Sequence, residues 1–231
     1  CTITGSYQIT QPTAISISNT HTNVTCFGQF NGTINTTVTG GTGAYTYAWL
    51  NGSNNQNLIN LQAGTYSLTV TDANNCVATS SVTVTQPFQL LATSSQVNVA
   101  CFGQSTGSID ATITGGTLPY AYSWSSGQLT EDITGLTQGV YTLSVTDANN
   151  CTTSLTKTIT QNTQIMVGQT VTNVLCNGES NGSINITANG GTTPYSYSWI
   201  GPNGFSSTAE DISSLSAGQY TLTLIDALGC N

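Results

Sequence analysis

Apolar residues alternate with polar ones in short runs separated by turn signals. In the first stretch, Ile15 and Ile17 alternate with Ser16 and Ser18, then Ile34, Thr36 and Val38 share a parity, and later Val82 and Val84. A period of two predicts strands with one buried face. Tyr45, Tyr47 and Trp49 form another such run, Leu58 and Leu61 a short one, and Tyr66, Leu68 and Val70 another. Gly40-Gly41-Thr42, Asn51-Gly52 and Asp72-Ala73-Asn74-Asn75 fall between runs, where turns belong. No stretch shows a 3.6-residue period. Six or seven short antiparallel strands per unit predict a β-sandwich.

The whole pattern returns after 75 residues: Cys26, Cys101 and Cys176; Trp49, Trp124 and Trp199; Gly40, Gly115 and Gly190. A unit of that length can close its own small core, unlike the shorter units of a solenoid. The expected boundaries are 13–87, 88–162 and 163–231, the last without its own final strand. Residues 1–12 are expected to be the last strand of a preceding repeat, since Cys1 has the phase of Cys76 and Gln11-Pro12 that of Gln86-Pro87. That phase reads as a slice of a longer protein. The other reading lets Cys1–Pro12 complete the third unit of a neighbouring protomer by strand addition.

Two features sharpen the expected fold to immunoglobulin-like. A Trp lies on the third main strand, and Tyr66, Tyr141 and Tyr220 each follow a Leu-x-x-Gly corner, as a tyrosine corner would. These rings and the three Trp are the expected core markers. The fold class is all-β: tandem immunoglobulin-like sandwiches in an elongated head-to-tail array. Leu68 stands where the second cysteine of the usual inter-sheet disulfide would be, so the seven cysteines serve another purpose.

Composition narrows the function. Of 231 residues, 37% are hydrophobic but only 4% are charged, and the net charge is −8 with one basic residue, Lys157. Nucleic-acid binding rests on basic residues neutralising phosphate, and anionic membranes need the same. Neither partner fits, and no apolar run is long enough to cross a bilayer. Cysteines at fixed phase in a Thr-rich β chain suggest an oxidising, extracellular setting.

In an immunoglobulin-like unit the turn holding Cys26 and the turn holding Cys76 lie at opposite ends. A seven-residue strand spans about 23 Å, and a disulfide needs Cα atoms within about 7 Å. Head-to-tail stacking instead brings Cys26 near Cys151, and Cys101 near Cys230. A different strand order would leave the pairs within units: Cys26 with Cys76, Cys101 with Cys151, Cys176 with Cys230.

Chemistry is sparse. His21 is the single histidine, and nothing resembles a nucleophile elbow, so no catalytic residue and no resident cofactor are expected. Asp72, Asp147 and Asp226 recur at one turn; they read as turn caps, with calcium as the weaker alternative, since calcium wants six to eight oxygens. Asp132 and Asp211 recur too, but Asn57 replaces them in the first unit. The Tyr-x-Tyr-x-Trp runs read as core, with an exposed stacking strip for sugars as the alternative.

Several motifs recur together: Cys-Phe-Gly-Gln at 26–29 and 101–104, Asn-Gly-Ser-Ile at 181–184, Gly-Gly-Thr-x-Pro-Tyr at 115–120 and 190–195, and Thr-Asp-Ala-Asn-Asn-Cys at 71–76 and 146–151. With Tyr-x-Trp and Gly-x-Tyr, they make the chain resemble the SprB repeat family, found in giant secreted adhesins of gliding Bacteroidetes. Departures are Gly43-Ala44 in place of a Pro, Cys-Asn-Gly-Glu at 176–179, and four extra residues around Gly201–Gly204. The resemblance implies a cell-surface adhesin exported by the type IX system, serving adhesion or gliding as a stiff stalk or filament. Its partners would be further repeats of the same chain, neighbouring protomers, and an extracellular surface or polysaccharide. A carbohydrate-binding module, or a spacer attached to an extracellular enzyme, is the alternative.

Overall fold

A computed structural model describes residues 1–231. The chain is all-β, with 3₁₀ turn Pro202–Gly204 as its one helical element. The first repeat carries β1 (Ser16–Thr22), β2 (Gly32–Thr39), β3 (Thr46–Trp49), β4 (Leu58–Leu61), β5 (Gly64–Thr71) and β6 (Val77–Val84). The second carries β7 (Leu91–Val97), β8 (Gly107–Thr114), β9 (Ala121–Trp124), β10 (Ile133–Leu136), β11 (Gly139–Thr146) and β12 (Thr152–Ile159). The third carries β13 (Met166–Thr172), β14 (Gly182–Asn189), β15 (Ser196–Ile200), β16 (Ser206–Ser207), β17 (Ile212–Leu215) and β18 (Thr221–Ile225).

The chain folds as two compact units. The first holds Cys1–Leu91, Ile113–Ala121 and Val145–Thr153; the second holds Ala92–Thr112, Tyr122–Ser144 and Ser154–Asn231. In the first unit, one sheet has the order β1-β2-β4 and the other β3-β5-β6. The β1–β2, β2–β4, β3–β5 and β5–β6 pairs are antiparallel. This is the immunoglobulin-like arrangement, with strands one, two and four facing strands three, five and six. Between the sheets lie Val24, Ile34, Trp49, Leu58, Leu61, Leu68, Val70, Val82 and Val84. Trp49 pairs with Leu68 across β3 and β5, so apolar packing closes the core where many immunoglobulin domains carry a disulfide.

The breaks between strands have local causes. Gly41 adopts φ +68°, and a Cβ there would come within 2.9 Å of both Asp72 Oδ2 and Ile15 Cγ1. Only glycine fits this left-handed position beside a carboxylate. The β2–β4 ladder shifts register between Gly32 and Ile34. The Thr36 N–H donates to Asn57 Oδ1 at 2.9 Å, which supplies an acceptor beside the irregular pairing.

The second unit includes the third repeat, whose sheets are β13-β14-β17 and β16-β15-β18. Its core is Ile186, Trp199, Ile212, Leu215 and Leu224. The four extra residues form the 3₁₀ turn and place Phe205 edge-on against Tyr220, with ring centroids 5.2 Å apart. Strand β18 pairs with β15 on one side and borders no strand on the other. Residues 1–15 carry no strand, and Ile3, Tyr7 and Ile9 are fully exposed. No helix is long and apolar enough to cross a membrane.

Candidate functional site

The recurring aspartates organise the turn between the last two strands of a repeat. Asp72 is buried. Its Oδ1 accepts from the N–H groups of Asn74 (2.9 Å) and Cys76 (2.8 Å), and its Oδ2 from that of Thr42 (2.9 Å). One carboxylate thus ties the β5–β6 turn to the β2–β3 turn. Asp147 binds Asn149, Cys151 and Thr117 in the same way, and Asp226 binds Leu228, Cys230 and Thr192. Burial by itself raises the Asp72 pKa. The donors from Cys76, Thr42 and Asn74 outweigh it and hold the carboxyl below its ordinary value. Burial likewise opposes, and the N–H groups of Cys230, Thr192 and Leu228 prevail, at Asp226. These oxygens are already engaged by backbone donors. No group of three or more His, Cys, Asp or Glu side chains is placed to hold a metal ion.

At the end of this turn sits a cysteine, and the structure joins it to the preceding repeat. Within the first unit Cys26, in the β1–β2 turn, forms a disulfide with Cys151, in the β11–β12 turn, with Cα atoms 5.7 Å apart. Within the second unit Cys101 forms one with Cys230 at 5.4 Å. Cys1, Cys76 and Cys176 are free and exposed. The alternative pairs Cys26–Cys76, Cys101–Cys151 and Cys176–Cys230 do not form: strand order keeps the first pair apart, and Cys101, Cys151 and Cys230 are already engaged. The Val24 N–H donates to Thr85 O at 2.9 Å, so the Cys26 turn lies at the far end of β6 while Cys76 immediately precedes that strand. Eight residues of strand, about 26 Å, separate the two ends.

Two amides brace these joints: Asn149 lies in the recurring Thr-Asp-Ala-Asn-Asn-Cys run, whereas no recurrence marks Asn162. Asn149 Nδ2 donates to Thr25 O and to Thr117 Oγ1, both at 3.0 Å. In the second unit Asn162 Nδ2 donates to Ala100 O (2.8 Å) and Thr192 Oγ1 (3.1 Å). Their positions differ in the repeat, so periodicity hides the shared role. A glutamine latch does have a signal, the recurring Gln-86 phase, that the sequence expectations do not use: the Gly28 N–H donates to Gln86 Oε1 at 2.8 Å, and the Gly103 N–H to Gln161 Oε1 at 2.9 Å. Asp132 and Asp211 receive the Ala111 and Ile186 N–H groups at 2.9 and 2.8 Å. Asn57 substitutes for them because only one Oδ acceptor is needed.

The aromatic runs face inward. Trp49, Trp124 and Trp199 are at most 4% exposed. Their Nε1–H groups donate to Asn55 O, Thr130 O and Ala209 O. Tyr45, Tyr120 and Tyr195 donate to the carbonyls of Gly40, Gly115 and Gly190. Trp49, Trp124 and Trp199 thus offer no open face to stack a sugar, while the tyrosines of the runs are half-buried. Tyr66, Tyr141 and Tyr220 form tyrosine corners, donating to Gln62 O, Thr137 O and Ser216 O at 3.0–3.1 Å, and are half-buried at the core edge rather than inside it. His21 is exposed on β1.

By backbone shape the chain is similar to Sidekick-1 immunoglobulin domains 1–5, at 12% identity over 84% of this chain and 49% of that one, TM-score 0.40. It is also similar to the N-terminal eight Ig domains of Down Syndrome Cell Adhesion Molecule, at 11% identity over 78% and 32%, TM-score 0.40. A three-domain Ig structure of titin, a mutated variant, is similar at 13% identity over 94% and 89%, TM-score 0.41. The chain thus spans about half of the first of these and about a third of the second. No curated protein matches its sequence. The family model for the SprB repeat matches residues 18–54, 93–129 and 168–204. Each match runs from the first strand of one repeat past its Trp, so the chain carries three SprB repeats at a 75-residue spacing.

Proposed function

We propose that this chain is a structural and adhesive segment of a secreted cell-surface repeat protein, a stalk that holds a surface contact at a distance and bears tension. The overlap of two cross-repeat loops carries the reading. One disulfide closes residues 26–151 and the other closes 101–230. Tension applied to the ends bypasses most of the folded chain through sulfur. At 3.3–3.6 Å per residue, full unravelling between Cys26 and Cys230 yields roughly 70 nm when reduced but roughly 18 nm when both bridges hold. A uniformly weakly charged surface with one basic residue supports contacts that are weak singly and strong by number.

Adhesion has a candidate surface. Phe27 and Phe102 recur beside the two bridged cysteines and stand about half exposed. Exposed rings suit the faces of a polysaccharide. Single-molecule stretching tests the stalk: the extension between Cys26 and Cys230 at full unfolding is expected to rise about fourfold on reduction. Equal extension with and without reductant overturns it. Retention on polysaccharide-coated surfaces tests adhesion: replacing Phe27 and Phe102 by Ala is expected to lower it, and unchanged retention removes the rings from the role.

A further inference from the structure

In the first compact unit a cavity of 370 Å³ opens beside the Cys26–Cys151 bridge, lined by Phe27, Gln29, Gln89, Leu90, Asn150 and Thr153 among others. It is a composite of two repeats. Phe27 and Gln29 come from the β1–β2 turn of the first repeat. Gln89 and Leu90 lead into β7 of the second, and Asn150 and Thr153 lie at the turn into β12. The bridge holds the two halves together, with Cα atoms 5.7 Å apart. No charged side chain lines the cavity.

The lining is held in place, yet its hydrogen-bonding capacity is only partly used. The Gly28 N–H donates to Gln86 Oε1 at 2.8 Å and the Gln29 N–H to Cys26 O at 3.1 Å, which fixes the turn that carries Phe27. Asn150 is held at φ 62° by the bond from its N–H to Asp147 O at 3.0 Å. Gln29 Oε1 accepts from Asn31 Nδ2 at 3.2 Å. The Gln29 Nε2 hydrogens and the side-chain amides of Gln89 and Asn150 bond to no group of the chain. Leu90 is buried, whereas Phe27 is 51% exposed and offers its ring to a ligand.

An amide both donates and accepts, as does a sugar hydroxyl, and an aromatic ring takes the C–H face of a pyranose. A uronate, sulfate or phosphate group would find no cation here, since the one basic residue, Lys157, is not in the lining. We infer that this pocket binds one unit of a neutral polysaccharide, with the Phe27 ring stacked on the sugar and the amides of Gln29, Gln89 and Asn150 bonded to its hydroxyls, and that the site is complete only where the bridge joins two repeats. The inference rests on the adhesive reading above and names its ligand class and the closed joint it needs. Within the second unit, Phe102, Gln104 and Gln164 line a cavity at the Cys101–Cys230 bridge. There Gly229 stands where Asn150 does, its N–H bonded to Asp226 O, so that joint is the weaker site. Each joint adds a contact, and affinity for a long chain grows with their number.

NMR titration of the 1–231 chain with cellohexaose, laminarihexaose and xylohexaose tests this, with hexaguluronate as the charged control. At least one neutral probe is expected to shift the resonances of Phe27, Gln29, Gln89 and Asn150 at concentrations up to about 10 mM, and hexaguluronate to leave them in place. Phe27→Ala is expected to weaken that binding ~10-fold and Gln89→Ala ~3-fold; both side chains are exposed, so the fold is kept. Asn150→Gly keeps the left-handed turn, as Gly229 does at φ +80°, and is expected to bring the first joint down to the affinity of the second. Phe27 and Asn150 belong to different repeats, so losses in both single variants establish the composite site without touching the bridge. Cys26→Ser with Cys151→Ser is expected to weaken binding ~10-fold in a chain whose circular dichroism is still that of a sandwich. The proposal is overturned if no neutral probe moves these resonances, or if hexaguluronate moves them as strongly. Unchanged affinity in the folded double serine variant overturns the need for a closed joint. Lost surface retention in Phe27→Ala with Phe102→Ala, where no neutral hexasaccharide binds, overturns this pocket and leaves the adhesive reading standing.

Discussion

Cys26 and Cys151 are 125 residues apart in the chain, yet their Cα atoms are 5.7 Å apart. The bridge joins the turn before β2 to the turn before β12 within the first compact unit. Cross-linking such a long loop restricts the unfolded chain strongly, which is the main stabilising effect of a disulfide. Cys26→Ser with Cys151→Ser is therefore expected to lower unfolding stability by about 2–5 kcal/mol. Chemical denaturation measures it, and non-reducing peptide mapping with chymotrypsin verifies the pairing. A linked Cys26–Cys76 peptide would contradict the structure.

Gly41 and Asp72 form a second close pair. Gly41→Ala puts a methyl 2.9 Å from Asp72 Oδ2 at φ +68°, a conformation costing L residues about 1–2 kcal/mol before any clash. The variant is expected to lose at least that much. Gly28→Ala has a similar φ (+74°) but open space around it, so it isolates the backbone effect. Equal losses in the two variants would show that the carboxylate contact contributes nothing.

Acid should loosen the turns. Asp72 and Asp226 have pKa values held below the ordinary one by backbone donors. A depressed folded pKa adds stability that is fully present above the unfolded value, about 3.9. It is lost as pH falls through the lower folded value. Thermal stability is thus expected to be flat from about pH 7 to 5 and to fall below about pH 4. Asp72→Asn and Asp226→Asn together should flatten part of that fall. An unchanged acid slope in the double variant would remove these carboxylates as its source.

Calcium is expected to leave the melting temperature unchanged, as is a chelator, because the oxygens of Asp72, Asp147 and Asp226 are engaged by N–H donors. A rise of several degrees with calcium would require a site formed some other way, and calorimetry with and without chelator reads it directly.

Trp49→Ala removes the largest side chain of the first core, where the ring is 4% exposed. A loss of about 3–5 kcal/mol is expected. Phe27→Ala, at a half-exposed ring, should cost far less. Similar losses would mean that Phe27 is buried in solution.

Strand positions are legible in the chain because alternation of apolar and polar residues reports a half-buried sheet directly. Ile34, Leu68 and Val84 sit where their parity puts them. The Trp ladder is readable for the same reason: bulky rings at one parity cannot all face water. The corner tyrosines lie one layer shallower than a core marker would, because each keeps its hydroxyl near the surface to reach a carbonyl four residues back. The partners of Asn149 and Asn162 cannot be found by periodicity, since each reaches 62 residues or more along the chain for its carbonyl.

Order along the chain is enough to set the 75-residue period, the faces of the strands and the chemistry of the turns, because each depends on neighbours within a few residues. Which cysteines meet and which amides brace them follow from the folded arrangement alone. Those outcomes depend on distances between segments a hundred residues apart, and local propensity carries no information about them.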